Sequence, residues 1–311
     1  MKTEKFLIIT NNPIEWVSHR KAEWDSYKQL SLDFNIDLKN GLISGPSEGE
    51  YRLSMYKEIE DRFLPHAAYL MLSTSSDYVM SIVNDMTYRG TKLLNSTNSL
   101  VGDKLLLSVE AKHNNIPIPK TVGINIPNIF MINSVAEYII DSIGLPCVIK
   151  KTDWGLGIGI VKVNTYNELT DILGLISTSK LVDMQQYFRH NYIAQEFIPD
   201  NVGTSIRVIV LNNKCIGAML RSNSSYWKSN SYSSDTISTF YPMNSILEEL
   251  SLRICKIFNI TYAGLDFHIM NDGSYLLGEI NLSPQIKSFS EVHPNISIPK
   301  MILQYLMPHK F

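Results

Sequence analysis

The strongest constraint in this 311-residue sequence is an apolar hairpin pattern near the C-terminus that carries two carboxylates. The run Asn271-Asp272-Gly273-Ser274 contains an Asp-Gly pair, a typical two-residue turn between antiparallel strands. If Asn271 pairs with Ser274, Asp266 lies directly across from Glu279, with the Cβ atoms about 5 Å apart. Asn281 lies two residues beyond Glu279 and therefore shares its face of the strand. The pattern predicts a sheet with two carboxylates and an amide on one face.

These three side chains are candidate metal ligands. Facing carboxylates repel each other, so a folded protein tolerates them when a cation or a proton lies between them. Carboxylate and amide oxygens suit Mg²⁺, which typically binds one or two carboxylates together with substrate phosphates. The alternative is a solvated polar face. The apolar neighbours argue against it, because they are typical of central strands: Phe267, Ile269, Leu276, Leu277 and Ile280. Asp266, Glu279 and Asn281 are therefore the predicted metal site.

A glycine-rich run contains Gly155, Gly157 and Gly159. Alternate glycines permit positive φ and a close approach of the backbone to phosphates. The run leads into a strand pattern at residues 160–163, whereas a Rossmann loop leads into a helix. It also lacks the Gly-Lys-Ser/Thr of a Walker loop. Lys150 ends the preceding strand pattern, and a fixed cation there favours phosphate binding over a plain hairpin tip.

Arg207 and Arg221 accompany a second pair of predicted strands. Either guanidinium could bind a phosphate or carboxylate through two parallel hydrogen bonds, or form a surface ion pair. Whether both face one side of the sheet depends on the turn between the strands. A two-residue turn, Asn212-Asn213, and a three-residue turn that adds Lys214 give different answers, and the sequence leaves this register open.

Composition narrows the class of protein. The net charge is −2, the pI is near 6.4, and no basic domain stands out, so nucleic acid is not expected as a partner. Cys147, Cys215 and Cys255 are far apart, which argues against a disulfide framework or a zinc site. No run approaches the roughly 18 apolar residues of a membrane span. We therefore expect a soluble, cytoplasmic protein with reduced thiols.

The order of the motifs resembles the ATP-grasp superfamily, most closely the RimK-type ligases, over about Leu94 to Leu306. Each segment alone is a weak signal, and the shared order makes the resemblance specific. The segments are Gly102-Asp-Lys104, Val148-Ile-Lys150, Gly157-Ile-Gly159-Ile160, Gln195-Glu-Phe-Ile198, Ile206-Arg207, Lys228-Ser-Asn230, Ala263-Gly-Leu-Asp266 and Gly278-Glu-Ile-Asn-Leu-Ser-Pro284.

This resemblance implies an ATP site. Lys104 and Lys150 would contact the ATP phosphates, and the glycine loop at 155–159 would close over them. Glu196 and Phe197 would line the adenine hinge. The predicted metal site would hold one or two Mg²⁺ ions, with Mn²⁺ as an alternative.

The same resemblance implies residues for catalysis. Arg207 and Arg221 would meet the acyl phosphate or the carboxylate substrate. Asn230, with Lys228, would neighbour the transferred phosphoryl group.

Two departures from the family pattern concern substrate binding. Ser205 stands where the family usually has an acidic ribose contact, and Asp200 could substitute for it. The family's Arg-Ser-Asn is Lys228-Ser229-Asn230 here, and Ser233-Ser234 replaces the following glycine pair. That region lies near the acceptor, so glutamate as substrate does not carry over.

The expected fold is α/β, of ATP-grasp type, in three parts. Residues 1–95 would form an N-terminal α/β domain that helps to select the substrate. Residues 96–190 would form the lid subdomain, and residues 191–311 a C-terminal subdomain with a mostly antiparallel sheet and the Mg²⁺ site.

The expected activity is ADP-forming amide or peptide bond formation through an acyl phosphate. The substrate would be an amino acid, a peptide, or a ribosomally made precursor peptide or protein. The alternative is a nucleotide-binding regulator or scaffold of the same fold without ligase activity. Neither nucleic acid nor membrane is an expected partner, and a homodimer is left open.

Overall fold

The architecture is that of a computed structural model of the chain. It describes residues 3–10, 20–42, 51–52, 64–71, 77–95, 99–126, 128–152, 159–182, 192–229 and 235–311.

The first sheet is parallel. Its elements in chain order are β1 (Glu4–Thr10), α1 (Lys21–Asp33), β2 (Ile36–Leu42), β3 (Tyr51–Arg52), β4 (Ala67–Leu70), α2 (Asp77–Tyr88) and β5 (Lys92–Leu93). The strand order is β3-β2-β1-β4-β5. Phe6 and Ile8 of β1 pack into one apolar core, and Leu7 and Ile9 into another. Burial on both faces explains why the central strand is a continuous apolar run.

The second sheet is antiparallel, in the order β6-β9-β7-β8. The elements that precede and form this part are α3 (Ser99–Gly102), α4 (Lys104–His113), β6 (Thr121–Ile124), α5 (Ile132–Ile143), β7 (Cys147–Lys151), β8 (Val161–Val163), α6 (Tyr166–Val182) and β9 (Tyr192–Glu196). Both α5 and α6 contribute to its apolar core. The strands on either side of the glycine-rich run, β7 and β8, pair with each other, as predicted.

The third sheet is also antiparallel, in the order β12-β11-β10-β13-β14. Its elements and the helices around it are β10 (Thr204–Leu211), β11 (Lys214–Asn223), β12 (Thr236–Tyr241), α7 (Ser245–Ile257), β13 (Tyr262–Ile269), β14 (Tyr275–Asn281), α8 (Lys287–Val292) and α9 (Ile298–Leu306). Apolar residues of α9, α1, β1 and β10 share one core, which joins the first lobe to the third sheet.

The β10–β11 register places both arginines on one face. Asn212 and Asn213 have φ values of 49° and 58°, and they form the two-residue turn. An irregularity then shifts the pairing between Ile209 and Val210 of β10, so that Ser205 lies opposite Arg221. Directly opposed residues share a face of the sheet, so Arg221 lies on the same face as Ser205. Arg207 lies two residues after Ser205 on β10 and therefore shares that face as well.

The β13–β14 hairpin differs from its prediction at the turn. Met270 and Ser274 close a three-residue loop, in which Gly273 has a φ of 83°, so the predicted two-residue turn is wrong. An extra residue in β14, Gly278, shifts the register back by one. The predicted pairing of Asp266 with Glu279 is therefore confirmed.

Two further expectations concern composition. The three cysteines are free thiols. Among the residues that the structure describes, no helix combines the length and apolar character needed to cross a membrane.

Gly203 generates a stability prediction. Its φ is +77°, and an added Cβ would collide with the carbonyl oxygen of Asn223 and lie 2.8 Å from that of Tyr226. Gly203→Ala should therefore lower the free energy of unfolding by about 2 kcal/mol or more in urea denaturation. Gly273→Ala is the matched control, because its φ is +83° but a Cβ there meets open space. Equal losses in the two variants would contradict the packing argument.

Candidate active site

The centre of the candidate site is a buried carboxylate between two guanidinium groups. Arg207 donates from Nε and Nη2 to the two oxygens of Asp266, both at 2.7 Å. Arg221 Nη2 lies 2.9 Å from Asp266 Oδ2. All three side chains are buried, and β13, β10 and β11 lie side by side in that order. The arrangement is a charge-assisted cluster fixed on three adjacent strands.

The charge state of this cluster follows from its geometry. Burial raises the pKa of the Asp266 carboxyl, but the guanidinium groups of Arg207 and Arg221 outweigh it and hold that pKa at about 2. Burial and the Lys150 ammonium lower the pKa of His268 to about 4, so the imidazole is neutral at pH 7. Asp266 is therefore an ionised carboxylate that faces two cations.

Two lysines add positive charge beside Glu279. Lys104 Nζ lies 3.5 Å from Glu279 Oε1. The N-cap residue Asp103 accepts hydrogen bonds from the next backbone amides and so starts α4 with Lys104 as its first residue. Burial and the nearby Lys104 lower the pKa of Lys150 to about 8, and Glu279 opposes this shift. Together with Arg207 and Arg221, the two lysines make four cations beside two carboxylates, Asp266 and Glu279. This part of the site therefore carries an excess of positive charge.

Ser205 connects the arginine cluster to a second hydroxyl. Its Oγ accepts from Arg221 Nε at 3.1 Å and from Nη2 at 2.8 Å. Ser229 Oγ lies 2.7 Å from Ser205 Oγ and donates to it. Ser205 thus helps to orient the guanidinium of Arg221.

One pocket brings most of the predicted residues together. Its lining includes Lys104, Lys150, Glu196, Phe197, Asp200, Ser205, Arg221, Lys228, Asp266 and Glu279. Three other predicted residues that the structure describes are not among the lining residues: Arg207, whose guanidinium is paired with Asp266, Gly159 and Asn281. Gly155, Gly157 and Asn230 lie outside the described residues.

The wall near Phe197 is aromatic. The rings of Phe197 and Trp227 have centroids 5.9 Å apart, and both residues line the pocket. Lys162 Nζ lies 3.9 Å from the Phe197 ring centroid. Such a wall suits the flat face of a base.

Two acidic lining residues already have backbone partners. Glu196 Oε1 accepts from the Lys120 amide at 2.8 Å. Asp200 Oδ2 accepts from the Asn271 amide at 2.7 Å, which ties the β13–β14 turn to the 200–203 turn. Both carboxylates therefore help to shape the pocket wall.

Lys228 links the segment after β11 to the end of the glycine-rich run. Its Nζ donates to the Ile160 carbonyl at 2.7 Å. Gly159, next to Ile160, has a φ of 69°, a conformation that glycine adopts readily. The contact fixes one end of the predicted phosphate loop.

The predicted metal ligands fit Mg²⁺ by donor type. No group of three or more His, Cys, Asp or Glu side chains suited to a metal occurs among the described residues, so the candidate set is two carboxylates and one amide oxygen. Asp266 is ionised, and its Oδ1 keeps a lone pair beside the one shared with Arg207, whereas Oδ2 faces both Arg207 Nη2 and Arg221 Nη2. Asn281 Oδ1 accepts from the Ser283 amide at 2.9 Å, which fixes its orientation.

The family model for the RimK-like ATP-grasp domain matches residues 79–306. The chain belongs to this family. It is 24% identical to human N-acetylaspartylglutamate synthase A over 76% of the chain and 57% of that protein. It is 22% identical to β-citrylglutamate synthase B of Danio rerio over 84% of the chain and 62% of that protein. The chain thus spans about three fifths of the length of these relatives.

The fold is also that of solved ATP-grasp ligases. The structure of the ATP-grasp ligase PsnB, complexed with a phosphomimetic variant of minimal precursor, Mg and ADP, matches with a TM-score of 0.67. The two chains are 14% identical, and the match covers 100% of each. The three-sheet architecture described above therefore confirms the expected ATP-grasp fold.

In this RimK-like ATP-grasp chain, several pocket residues were not predicted from the sequence, among them His268, Trp227 and Ser229. His268 could have been found, because it lies two residues from Asp266 on the same strand and hence on the same face. Trp227 and Ser229 flank Lys228, but no periodic signal indicated which of them faces the pocket. Their placement depends on the fold of the segment after β11.

The buried cluster generates a stability prediction. Asp266→Asn removes the negative charge between two buried guanidinium groups, so it should lower the free energy of unfolding by about 3–5 kcal/mol. Urea denaturation without nucleotide or Mg²⁺ measures this. Asp272→Asn, at an exposed position on the same hairpin, is the control: the Asn oxygen can still accept from the Ser274 amide, so it should change stability far less than Asp266→Asn does. Similar midpoints for both variants would contradict the role assigned to the cluster.

The low pKa of Lys150 generates a prediction for nucleotide binding. A bound phosphate favours the charged ammonium, so affinity should be full well below the pKa of about 8 and should fall as the free lysine loses its proton. Between pH 7 and pH 9 the affinity for ADP, measured by calorimetry, should drop about tenfold. Lys150→Arg keeps its charge throughout and should flatten the profile. A wild-type profile as flat as that of the variant would contradict the assignment.

Proposed function

We propose that this chain is an ATP-dependent ligase that joins a carboxylate to an amine through an acyl phosphate, releasing ADP and phosphate. The observation that carries the proposal is one pocket with an aromatic wall, four cations and two opposed carboxylates: Phe197, Trp227, Lys104, Lys150, Arg221, Lys228, Asp266 and Glu279. The aromatic wall suits the adenine ring of ATP, and the cations suit its phosphates. Membership of the RimK-like ATP-grasp family supports the same chemistry.

In the first step, Lys104 and Lys150 hold the triphosphate while a substrate carboxylate attacks the γ-phosphorus. The new bond joins the carboxylate oxygen to phosphorus, and ADP leaves with the electrons of the broken bond. Asp266, Glu279 and Asn281 would hold Mg²⁺, which would supply positive charge for the phosphate oxygens. The protein contributes mainly position and fixed charge in this step.

In the second step, an amine attacks the acyl carbon, and phosphate leaves with the bonding electrons and accepts the amine proton. The guanidinium of Arg221 faces the pocket, and Ser205 and Asp266 orient it. We assign Arg221 to the acyl phosphate or carboxylate, and Arg207 to fixing Asp266. Lys228 and Asn230 would neighbour the transferred phosphoryl group.

Water must be excluded from an acyl phosphate, because hydrolysis would waste the ATP. The glycine loop at 155–159 would cover the phosphates when the nucleotide is bound. The hydrogen bond from Lys228 to the Ile160 carbonyl ties the end of this loop to the segment that follows β11. Loop closure and the acceptor side of the pocket are thereby linked.

Two substrate classes remain within this proposal. The names of the relatives describe synthases of N-acetylaspartylglutamate and β-citrylglutamate, which supports small acids as donors. The PsnB structures contain a precursor peptide, which supports a peptide. The replaced motif at 228–234 argues against assuming glutamate as the acceptor.

We expect ADP release to require both a carboxylate and an amine. Purified protein with Mg²⁺ and ATP is tested against pools of amino acids, other small acids and short peptides. Glu279→Gln removes a carboxylate of the proposed metal site and should reduce release about 100-fold, the upper end of the effect of removing a residue that only supports a metal ligand. Glu249→Gln, at an exposed position of α7, should match the wild type.

The outcomes separate the ligase from a regulator. If ADP release requires both a carboxylate and an amine, the ligase proposal stands. The active pools are then divided into smaller sets until the two substrates are identified. ATP binding without turnover in any pool would contradict the small-molecule version, and the nucleotide-binding regulator would then be the better account.

A further inference from the structure

The segment that follows β14 is held by the first lobe. Arg20 Nη1 donates to the Pro284 carbonyl at 2.9 Å, and its Nη2 donates to Ser283 Oγ at 3.0 Å and to the Ser283 carbonyl. Asn95 Nδ2 donates to the Leu282 carbonyl at 3.4 Å. Three successive carbonyls therefore accept hydrogen bonds from residues that precede the lid.

Ser283 connects this contact to the proposed metal site. Its backbone amide donates to Asn281 Oδ1 at 2.9 Å, which closes a turn between residues two apart. Its hydroxyl also lies 3.3 Å from Tyr69 Oη, which donates to it. With its hydroxyl and carbonyl both held by Arg20, Ser283 can direct its amide to one orientation of the Asn281 side chain.

Arg20 is itself fixed by a buried ion pair. Its Nη1 lies 2.9 Å from Glu23 Oε2, and the side chains are 11% and 3% exposed. Burial raises the pKa of Glu23, and Arg20 opposes that shift. A buried guanidinium whose planar fork serves four acceptors has little freedom to move.

We propose that Arg20 is a positioning residue for Mg²⁺ binding: it fixes Ser283, whose amide orients the Asn281 oxygen towards the metal. The inference rests on the proposed function, because Asn281 is a metal ligand only within it. Residues that orient a metal ligand typically change metal affinity 10- to 100-fold when they are removed. This gives the first lobe a part in metal binding.

The test measures ADP binding by calorimetry over a series of Mg²⁺ concentrations, without any substrate or turnover. Arg20→Met removes all the contacts, and Arg20→Lys keeps a cation beside Glu23 but loses the planar fork. Both should raise the Mg²⁺ concentration at half-maximal enhancement, about tenfold for Arg20→Met. Binding without Mg²⁺ should not change. Arg253→Met is the matched control, because Arg253 also donates to backbone carbonyls, those of Asn114 and Asn115.

Asn281→Ala separates this inference from the proposed function. It should shift the Mg²⁺ requirement by itself, and adding Arg20→Lys to it should cause no further shift, because Arg20 acts through Asn281. If both Arg20 variants have the wild-type Mg²⁺ requirement, or if the shifts of Arg20→Lys and Asn281→Ala add up in the double variant, the positioning role is overturned while the metal site stands. A normal requirement in Asn281→Ala overturns the metal role of Asn281 and the inference together. Arg20→Lys keeps the test decisive if Arg20→Met fails to fold.

Discussion

The ion pairs between Asp266 and the two arginines are the interaction on which the site depends. The buried, ionised Asp266 carboxylate needs cationic partners, and its pKa is about 2 because it has them. These partners, Arg207 and Arg221, reach it only because β10 and β11 lie beside β13. The cluster contains two buried guanidinium groups and one carboxylate, so it keeps a net positive charge. That charge favours an anion nearby. Fold stability and the proposed affinity for phosphates therefore have a common origin.

Sheet register shows how much the sequence could predict. The pairing of Asp266 with Glu279 was predictable from alternation and a turn signal, although the turn has three residues. The bulge at Gly278 compensates for that difference. The face of Arg221 was not predictable, because it depends on an irregularity in the β10–β11 ladder. Bulges respond to packing around the sheet, and an apolar/polar pattern does not report them.

The order of the motifs indicated the ATP-grasp fold and most of the pocket, because most of the motifs lie on or next to the strands of the second and third sheets. Contacts between distant segments carried no such signal. Arg20 lies 263 residues before Ser283, and the hydrogen bond from Arg221 to Ser205 joins residues on two different strands. Strand β9 illustrates the same limit, since it follows residue 190 yet pairs with β6 and β7 of the second sheet. Strand pairing is a property of the folded chain.

The central claim is that an acyl phosphate forms in this pocket, and oxygen transfer tests it most directly. The acid that supports ADP release is labelled with ¹⁸O in its carboxylate, and the released phosphate is analysed by ³¹P NMR. The account predicts one labelled oxygen in each phosphate, because the carboxylate oxygen that attacks phosphorus leaves with it. Unlabelled phosphate released together with ADP would mean that water attacks ATP, and it would contradict the ligase mechanism.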